Sequence, residues 1–455
     1  MGIDLTPRWD KFAVYLPAIQ EWYSREVWSN KNLDKERPFP EGISLTDLDF
    51  LNPKSKLWHY GYGLYSAGQF KNSEPIKCSV SKRDREKTTI LGDSGGFQIG
   101  MGTFPGTEEL RKIKDADALV KAWERSTDVR EHVVNWLEST SDYAMTIDMP
   151  LWARVSTTGK SPFKVCSVDQ LIKMSVENLK FIRDNKRGGT KWLNVLQGVE
   201  EEDSRLWWNA VKKFKFDGWA LAGSVGWSGG LDSVLRNVLM MRDDGAFEKG
   251  QDWIHVLGVS RPTWGVIFSA IQRQLWNVNP DLRISYDSAS PFQTVGKYQK
   301  LVRYPKYTHD LKSWVMSISP SPIGSGYCDA NHFHFPHGSP IGDLLTLDHL
   351  SILGGSYEAN PTDKTTWILL LNHSLYIYIR AFLEANELAF MKRSDAEYFV
   401  PEELLNVIDF IGDVFESPNW DGKIKNHKKL LDDVFKKRSV KRSSEDTLDD
   451  FFDQK

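Results

Sequence analysis

The sequence is short of cysteine, of unbalanced charge and of long apolar runs, and each shortage removes a class of protein. Three cysteines (Cys78, Cys166 and Cys328) in 455 residues are widely spaced and odd in number. They argue against a disulfide framework and for a reducing, cytoplasmic setting. Lysine plus arginine number 58 and aspartate plus glutamate 61, a formal net charge of -3. Such a balance does not advertise a nucleic-acid-binding surface, so any basic face has to be local. The longest charge-free apolar stretch, Thr365 to Ile379, is 15 residues and contains Asn372 and His373. That is too short and too polar for a bilayer span, and no membrane contact is expected. Asp4, Arg8 and Asp10 break any signal-peptide pattern at the start.

What the chain does have is a repeated alternation of short apolar runs with helical periodicity. Thr88 to Ile90, Tyr143 to Ile147, Trp192 to Leu196, Gly218 to Val225, Trp253 to Val259 and Leu282 to Tyr286 read as strands. Thr107 to Leu137, Val168 to Asn185, Glu200 to Phe214, Leu231 to Arg242 and Pro262 to Trp276 read as helices. Trp9 to Val27 has mixed helical spacing, and Trp58 to Phe70 is aromatic and glycine-rich. Near-continuous apolar strands between helices imply parallel strands buried on both faces, an α/β fold. A doubly wound open sheet would read the same way, but no GxGxxG fingerprint is present to favour it.

In five of these units a polar residue or glycine closes the strand: Asp93, Asp148, Gln197, Gly223 and Asp287. That is where a (β/α)8 barrel gathers its active site. The first of them lies in LGDSGGFQIG, Leu91 to Gly100. Adjacent glycines there let a flat ligand approach the backbone, with Phe97 to stack on it and Asp93, Ser94 and Gln98 to bond it. The same four residues Asp-Ser-Gly-Gly can also be only a tight turn.

Two strand-end aspartates, Asp93 and Asp287, are what displacement at an anomeric carbon needs. One carboxylate attacks C1′ and the other protonates the departing base. Strand-end aspartates can equally serve only as helix caps. Asp148 and Gln197 have the groups to read the amide edge of a guanine-like base, and Gly223 would let a backbone N–H approach it.

Taken together these anchors resemble the tRNA-guanine transglycosylase family. LGDSGGFQ resembles its DSGGFQ signature, MTIDMP its base-reading segment and NVLQG its QG segment. ALAGSVG resembles its glycine-rich loop, HVLGV its strand before the final helix and ISYDSASP its nucleophile segment, in the same order. The resemblance implies a (β/α)8 TIM barrel with an N-terminal cap, an inserted zinc-binding subdomain and a C-terminal helical region. The implied boundaries are a cap with first barrel elements over 1–87 and the catalytic barrel over 88–320. The zinc subdomain with its helix follows over 321–380, a helical region over 381–436 and a tail over 437–455. It implies Asp287 as nucleophile and Asp93 as general acid/base, with Ser94, Phe97, Asp148, Gln197 and Gly223 binding the base.

Three departures from the family's pattern bear on substrate. The Pro-Thr-Arg run that seats an anticodon loop is replaced after Asp287 by Ser288-Ala289-Ser290-Pro291-Phe292-Gln293. The CxCxxC zinc motif is replaced by Cys328 followed by His332, His334 and His337 in HxHxxH spacing, with His373 on the distant helix. Imidazole substitutes for thiolate at tetrahedral zinc, although five candidates exceed four coordination places. Surface histidines on a polar loop are the alternative. Lys423 to Arg442 is basic, and the acidic end that follows carries Leu448, Phe451 and Phe452 at the spacing of a sliding-clamp-binding peptide. A solvated tail is the alternative there.

These departures resemble the DNA-modifying branch, the phage and bacterial DNA 7-deazaguanine transglycosylases. The expected reaction is exchange of guanine in DNA for a free 7-deazaguanine base, with structural zinc and no organic cofactor. Expected partners are DNA, the free base and a sliding clamp, in the cytoplasm (the host's, if phage-encoded). Lys160, Lys164, Lys191, Lys212 and Lys213 are candidate phosphate contacts. The rival readings are a tRNA-acting transglycosylase and a non-catalytic nucleic-acid-binding subunit.

Overall fold

Parallel strands buried on both faces have to be flanked by helices, and here the sheet curls until its edges meet. A computed structural model describes residues 2–29, 39–70, 77–155, 161–198, 200–223, 230–298, 300–320, 334–350 and 364–435. Its central feature is a closed barrel of eight strands, every neighbouring pair parallel. In chain order these are β1 Val14–Ile19, β2 Tyr62–Ser66, β3 Thr89–Asp93 and β4 Tyr143–Met145. They continue as β5 Lys191–Gln197, β6 Gly218–Ala222, β7 Trp253–Val256 and β8 Arg283–Ser288, which returns to pair with β1.

The two-residue period of a strand sorts the side chains into two cores. Leu16, Leu64, Leu91, Met145, Leu193, Val195 and Ala220 fill the barrel interior. Tyr15, Ile90, Trp192, Trp219, Ile254 and Tyr286 face the helices. Around the barrel run α1 Glu21–Ser29, α2 Ala116–Arg125, α3 Thr127–Thr140 and α4 Val168–Asn185. They are joined by α5 Glu201–Val211, α6 Leu231–Asp243 and α7 Pro262–Leu275. The starts follow local chemistry. Ser167 and Gln170 form a reciprocal capping box on α4, and Pro262 opens α7 where its missing N–H costs nothing.

The helical spacing read over Trp9 to Val27 is overturned in its middle, where Val14–Ile19 is the first barrel strand. Tyr15 and Leu16 are buried on opposite faces of it, so tertiary burial overrides the weak helical pattern. Pro17 is tolerated because β1 pairs with β8 through Val14 to Pro17 and with β2 only at Ala18 and Ile19. The missing donor falls where pairing passes from one neighbour to the other. Two of the eight strands therefore come from within residues 1–87.

The apolar stretch at Thr365 to Ile379 lies inside α8 Lys364–Ala389, which is buried along most of its length. Phe382 stacks on Tyr15 at 4.5 Å between ring centroids, seating the helix on the barrel. The two polar residues within the stretch are both bonded. Asn372 accepts from Trp58 Nε1 and donates to the Leu48 carbonyl, and His373 Nδ1 meets Ser339 Oγ at 2.8 Å. No helix among the described residues is long and apolar enough to cross a membrane.

The C-terminal helices α9 Glu402–Glu416, α10 Trp420–Asn426 and α11 Lys428–Phe435 pack on α6 and α7. Phe435 meets Trp264 at 4.2 Å, and Asp421 pairs with Arg236. The clamp-type residues Leu448, Phe451 and Phe452 lie outside the described residues.

Candidate active site

Parallel strands place all their C-terminal ends on one face, so the sequence anchors converge without further design. Asp93 ends β3, Gln197 ends β5 and Asp287 is the penultimate residue of β8. Asp148 and Gly223 fall in the loops that leave β4 and β6. By strand alternation Asp93 follows Leu91, and Gln197 follows Val195, toward the barrel interior.

The Asp93 carboxylate is held from two sides. Ser66 Oγ donates to Oδ2 at 2.7 Å and the Gly95 N–H donates to Oδ1 at 3.2 Å. Burial raises its pKa above the ordinary aspartate value, the two donors pull it back, and the negative charge of Asp287 pushes it up again. On Asp287, Oδ1 accepts the Gly258 N–H at 2.9 Å, and His255 Nε2 lies 3.3 Å from the same oxygen. Gly258 has φ of +75°, a left-handed conformation that favours glycine, and its N–H meets the carboxylate.

Asp148 and Gln197 meet directly, Gln197 Nε2 donating to Asp148 Oδ2. The Asp148 loop is fixed from behind by α4, where Asn178 bonds the Ile147 carbonyl at 3.2 Å and Ser175 Oγ accepts the Met149 N–H at 2.9 Å. Burial pushes the Asp148 carboxyl up to about 6, the Gln197 bond opposes that, and the Asp93 charge adds to it.

The glycines of DSGGFQ differ in their reasons. Gly95 has φ of +81°, and a Cβ there would fall 2.8 Å from Gly68 Cα. A Cβ on Gly96 would instead sit 3.4 Å from Asp148 Oδ1. Phe97 is 64% exposed and tilts against Trp152 at 5.3 Å, an open aromatic pair beside Asp148. Ser94 is buried. Gln98 packs against Gly68, its Oε1 lying 2.4 Å from where a Cβ of that glycine would be. Gly223 has φ of +80°, and residues 224–229 of its loop lie outside the described residues.

The lysines expected at phosphate divide. Lys164 is in the loop between β4 and α4, on the site's side. Lys191 opens β5 and Lys212 and Lys213 precede β6, which puts all three at the opposite end of the barrel. There Lys191 lies over Tyr143 and Lys212 pairs with Asp244. Lys160 lies outside the described residues.

Sequence reasoning missed His255, Ser66, Gly258 and Trp152. His255 carried a visible signal, a lone imidazole within WIHVLGV in the same alternation as Trp253. Ser66 and Gly258 had none, since their roles depend on register between strands distant in sequence.

Of the metal candidates, Cys328 and His332 lie outside the described residues. No group of three or more His, Cys, Asp or Glu side chains gathers as a metal site among the described residues. His373 and His337 do approach, with ring centroids 6.1 Å apart. With Nδ1 bonded to Ser339, His373 keeps a buried Nε2 that makes no well-aligned hydrogen bond among the described residues, although the Val302 backbone is close, and burial holds its pKa down to about 3. A neutral imidazole with one nitrogen fixed by a hydroxyl has the donor chemistry of a zinc ligand at the other. His334 is exposed and bridges to Thr346.

Fold and site together define an α/β-barrel protein whose mouth holds three carboxylates, Asp93, Asp148 and Asp287. Neither a family model nor a curated protein matches this chain.

Proposed function

We propose that the protein exchanges guanine in DNA for a free 7-deazaguanine base through a covalent glycosyl-Asp287 intermediate. The observation that carries this reading is that Asp93, the last residue of β3, and Asp287, at the end of β8, stand at the same mouth of one closed barrel. In the first step an Asp287 carboxylate oxygen forms a bond to C1′ as the C1′–N9 bond breaks, and Asp93 gives a proton to the departing guanine. In the second step N9 of the incoming base attacks C1′, Asp93 takes the N9 proton, and the ester bond breaks to regenerate the carboxylate. No energy source is consumed, since one glycosidic bond replaces another.

Asp148 and Gln197 suit the edge of guanine. The carboxylate accepts from N1–H and the exocyclic amine, while Gln197 has a second amide hydrogen for O6 after spending one on Asp148. Both bases share that edge, and the position-7 substituent would face the Gly223 loop. Phe97 and Trp152 offer a surface for stacking beside it. A stacked duplex base is out of reach of such a mouth, so the target nucleotide is extruded or single-stranded. Zinc would be held by His373 and His337 with partners from Cys328, His332 and His334, and would act as a structural cross-link. The clamp-type peptide at Leu448, Phe451 and Phe452 would tether the enzyme to replicating DNA.

Incubation with radiolabelled guanine and duplex DNA, single-stranded DNA or tRNA tests the reading. Label is expected in DNA, with a trapped protein–DNA adduct that Asp287→Ala abolishes. Label entering only tRNA overturns the DNA assignment. Label in neither, with DNA binding retained, makes the chain a binding subunit.

A further inference from the structure

Beneath Asp287 a chain of side chains crosses from β7 to β8. His255 and Ser285 are direct partners in the parallel register. Trp253 Nε1 donates to Ser285 Oγ at 2.7 Å, and that hydroxyl meets His255 Nδ1 at 2.9 Å. His255 has no exposed surface, and its Nε2 makes no hydrogen bond among the described residues although Asp287 Oδ1 is 3.3 Å away.

The proton positions follow from what each group can do. An indole N–H only donates, so Ser285 Oγ is the acceptor there. Its own hydrogen then has one acceptor among the described residues, His255 Nδ1. That leaves the imidazole proton on Nε2, the nitrogen 3.3 Å from Asp287 Oδ1. The opposite tautomer would strand the serine proton and set a nitrogen lone pair against an anionic oxygen.

We propose that His255 is a positioning residue for Asp287. Together with the Gly258 N–H it engages Oδ1, so that Oδ2, which carries no hydrogen bond among the described residues, is the oxygen presented to C1′. Their separation shortens into a hydrogen bond when the site closes on substrate, as apo catalytic contacts commonly do. In the covalent intermediate the same donor faces the ester carbonyl oxygen. There it stabilises the charge that returns to the carboxylate as C1′–Oδ2 breaks.

This inference rests on the transglycosylase reading, and the test separates the two. Nitrogen-15 spectra of histidine-labelled full-length protein read the His255 tautomer without any turnover. Protonation at Nε2, partly lost in Ser285→Ala, is expected. Protonation at Nδ1 overturns the inference whatever the activity. In the exchange assay His255→Phe keeps the ring volume and removes the donor, and should lower kcat about 10- to 100-fold with the KM for base little changed. His255→Gln restores an N–H at the same reach and should recover most of the loss. Equal activity in wild type and His255→Phe, or a loss in His255→Gln as deep as in His255→Phe, overturns the positioning role. No exchange by wild type, with the Nε2 tautomer confirmed, removes the transglycosylase reading and the role that depends on it.

Discussion

Gln197 donates its side-chain amide to the Asp148 carboxylate, joining the ends of two neighbouring strands into one hydrogen-bonding edge. The pair costs stability because Asp148 is a buried acid whose pKa is raised to about 6. A raised carboxyl pKa means the folded state prefers the protonated form. Its contribution to stability is therefore present at low pH and lost as pH rises through about 6. Asp148→Asn keeps an acceptor for Gln197 and removes the charge. It should stabilise the fold by on the order of 2–3 kcal/mol above pH 7, with the gain fading toward pH 4. Chemical denaturation of both proteins across that range checks it. A variant no more stable than wild type at pH 7.5 refutes the burial argument.

The same titration governs recognition. Below pH about 6 Asp148 becomes a proton donor and no longer accepts from N1–H. The KM for the free base should rise as pH falls through that value while kcat changes less. In Asp148→Asn the KM should be high at every pH, by about 10- to 100-fold, the worth of a charge-assisted bond. Initial rates against base concentration at pH 5, 6, 7 and 8 measure this. A KM flat across the range in wild type would remove Asp148 from the base edge.

Ser66 tunes the other acid. It donates to Asp93 Oδ2, a bond that favours the charged form and holds back a pKa that burial raises. Ser66→Ala should push Asp93 further up, so the alkaline limb of the pH–rate profile, where the acid loses the proton it gives to the leaving base, moves to higher pH. The shift is expected to be up to about one pH unit, roughly the worth of one hydrogen bond to a charged group. An unshifted profile would mean that Asp93 does not manage the proton.

Much of the barrel's second half was legible because strand and helix announce themselves there by period. Val168–Asn185 is a helix as its spacing predicts, and Asp93, Gln197 and Asp287 stand at strand ends as their runs imply. β1 was not legible, since six residues containing Pro17 carry too little pattern against a helical background. The Asp148–Gln197 bond and the Asp93–Asp287 influence were foreseeable only as a convergence, because partners depend on register and loop path. The closeness of Gln98 to Gly68 was likewise invisible, because it depends on the path of the turn after β2.

Zinc gives a separable prediction. The protein grown with zinc should carry about one zinc per chain by elemental analysis, as a four-ligand structural site does. His373→Ala should lose most of it and melt at lower temperature. Ser339→Ala removes the hydroxyl that fixes His373 Nδ1 and should weaken metal affinity about 10- to 100-fold. Metal-free wild type with unchanged melting would remove His373 from any metal site.

Gly95 and Gly96 should respond in opposite ways to the same small change. At Gly95 an alanine would adopt a φ of +81° with its Cβ 2.8 Å from the Gly68 backbone, and neither neighbour can move cheaply. Strain of that kind costs at least about 2 kcal/mol, so Gly95→Ala should unfold at clearly lower denaturant. At Gly96 the methyl meets only the Asp148 carboxylate oxygen at 3.4 Å, a tolerable contact for the fold. It would nevertheless stand in the approach of a flat base to that oxygen. Gly96→Ala should keep wild-type stability within about 0.5 kcal/mol, the usual effect where no buried feature is lost, and raise the KM for base. Base affinity unchanged in Gly96→Ala would place the ligand elsewhere in the barrel mouth, away from the DSGGFQ turn.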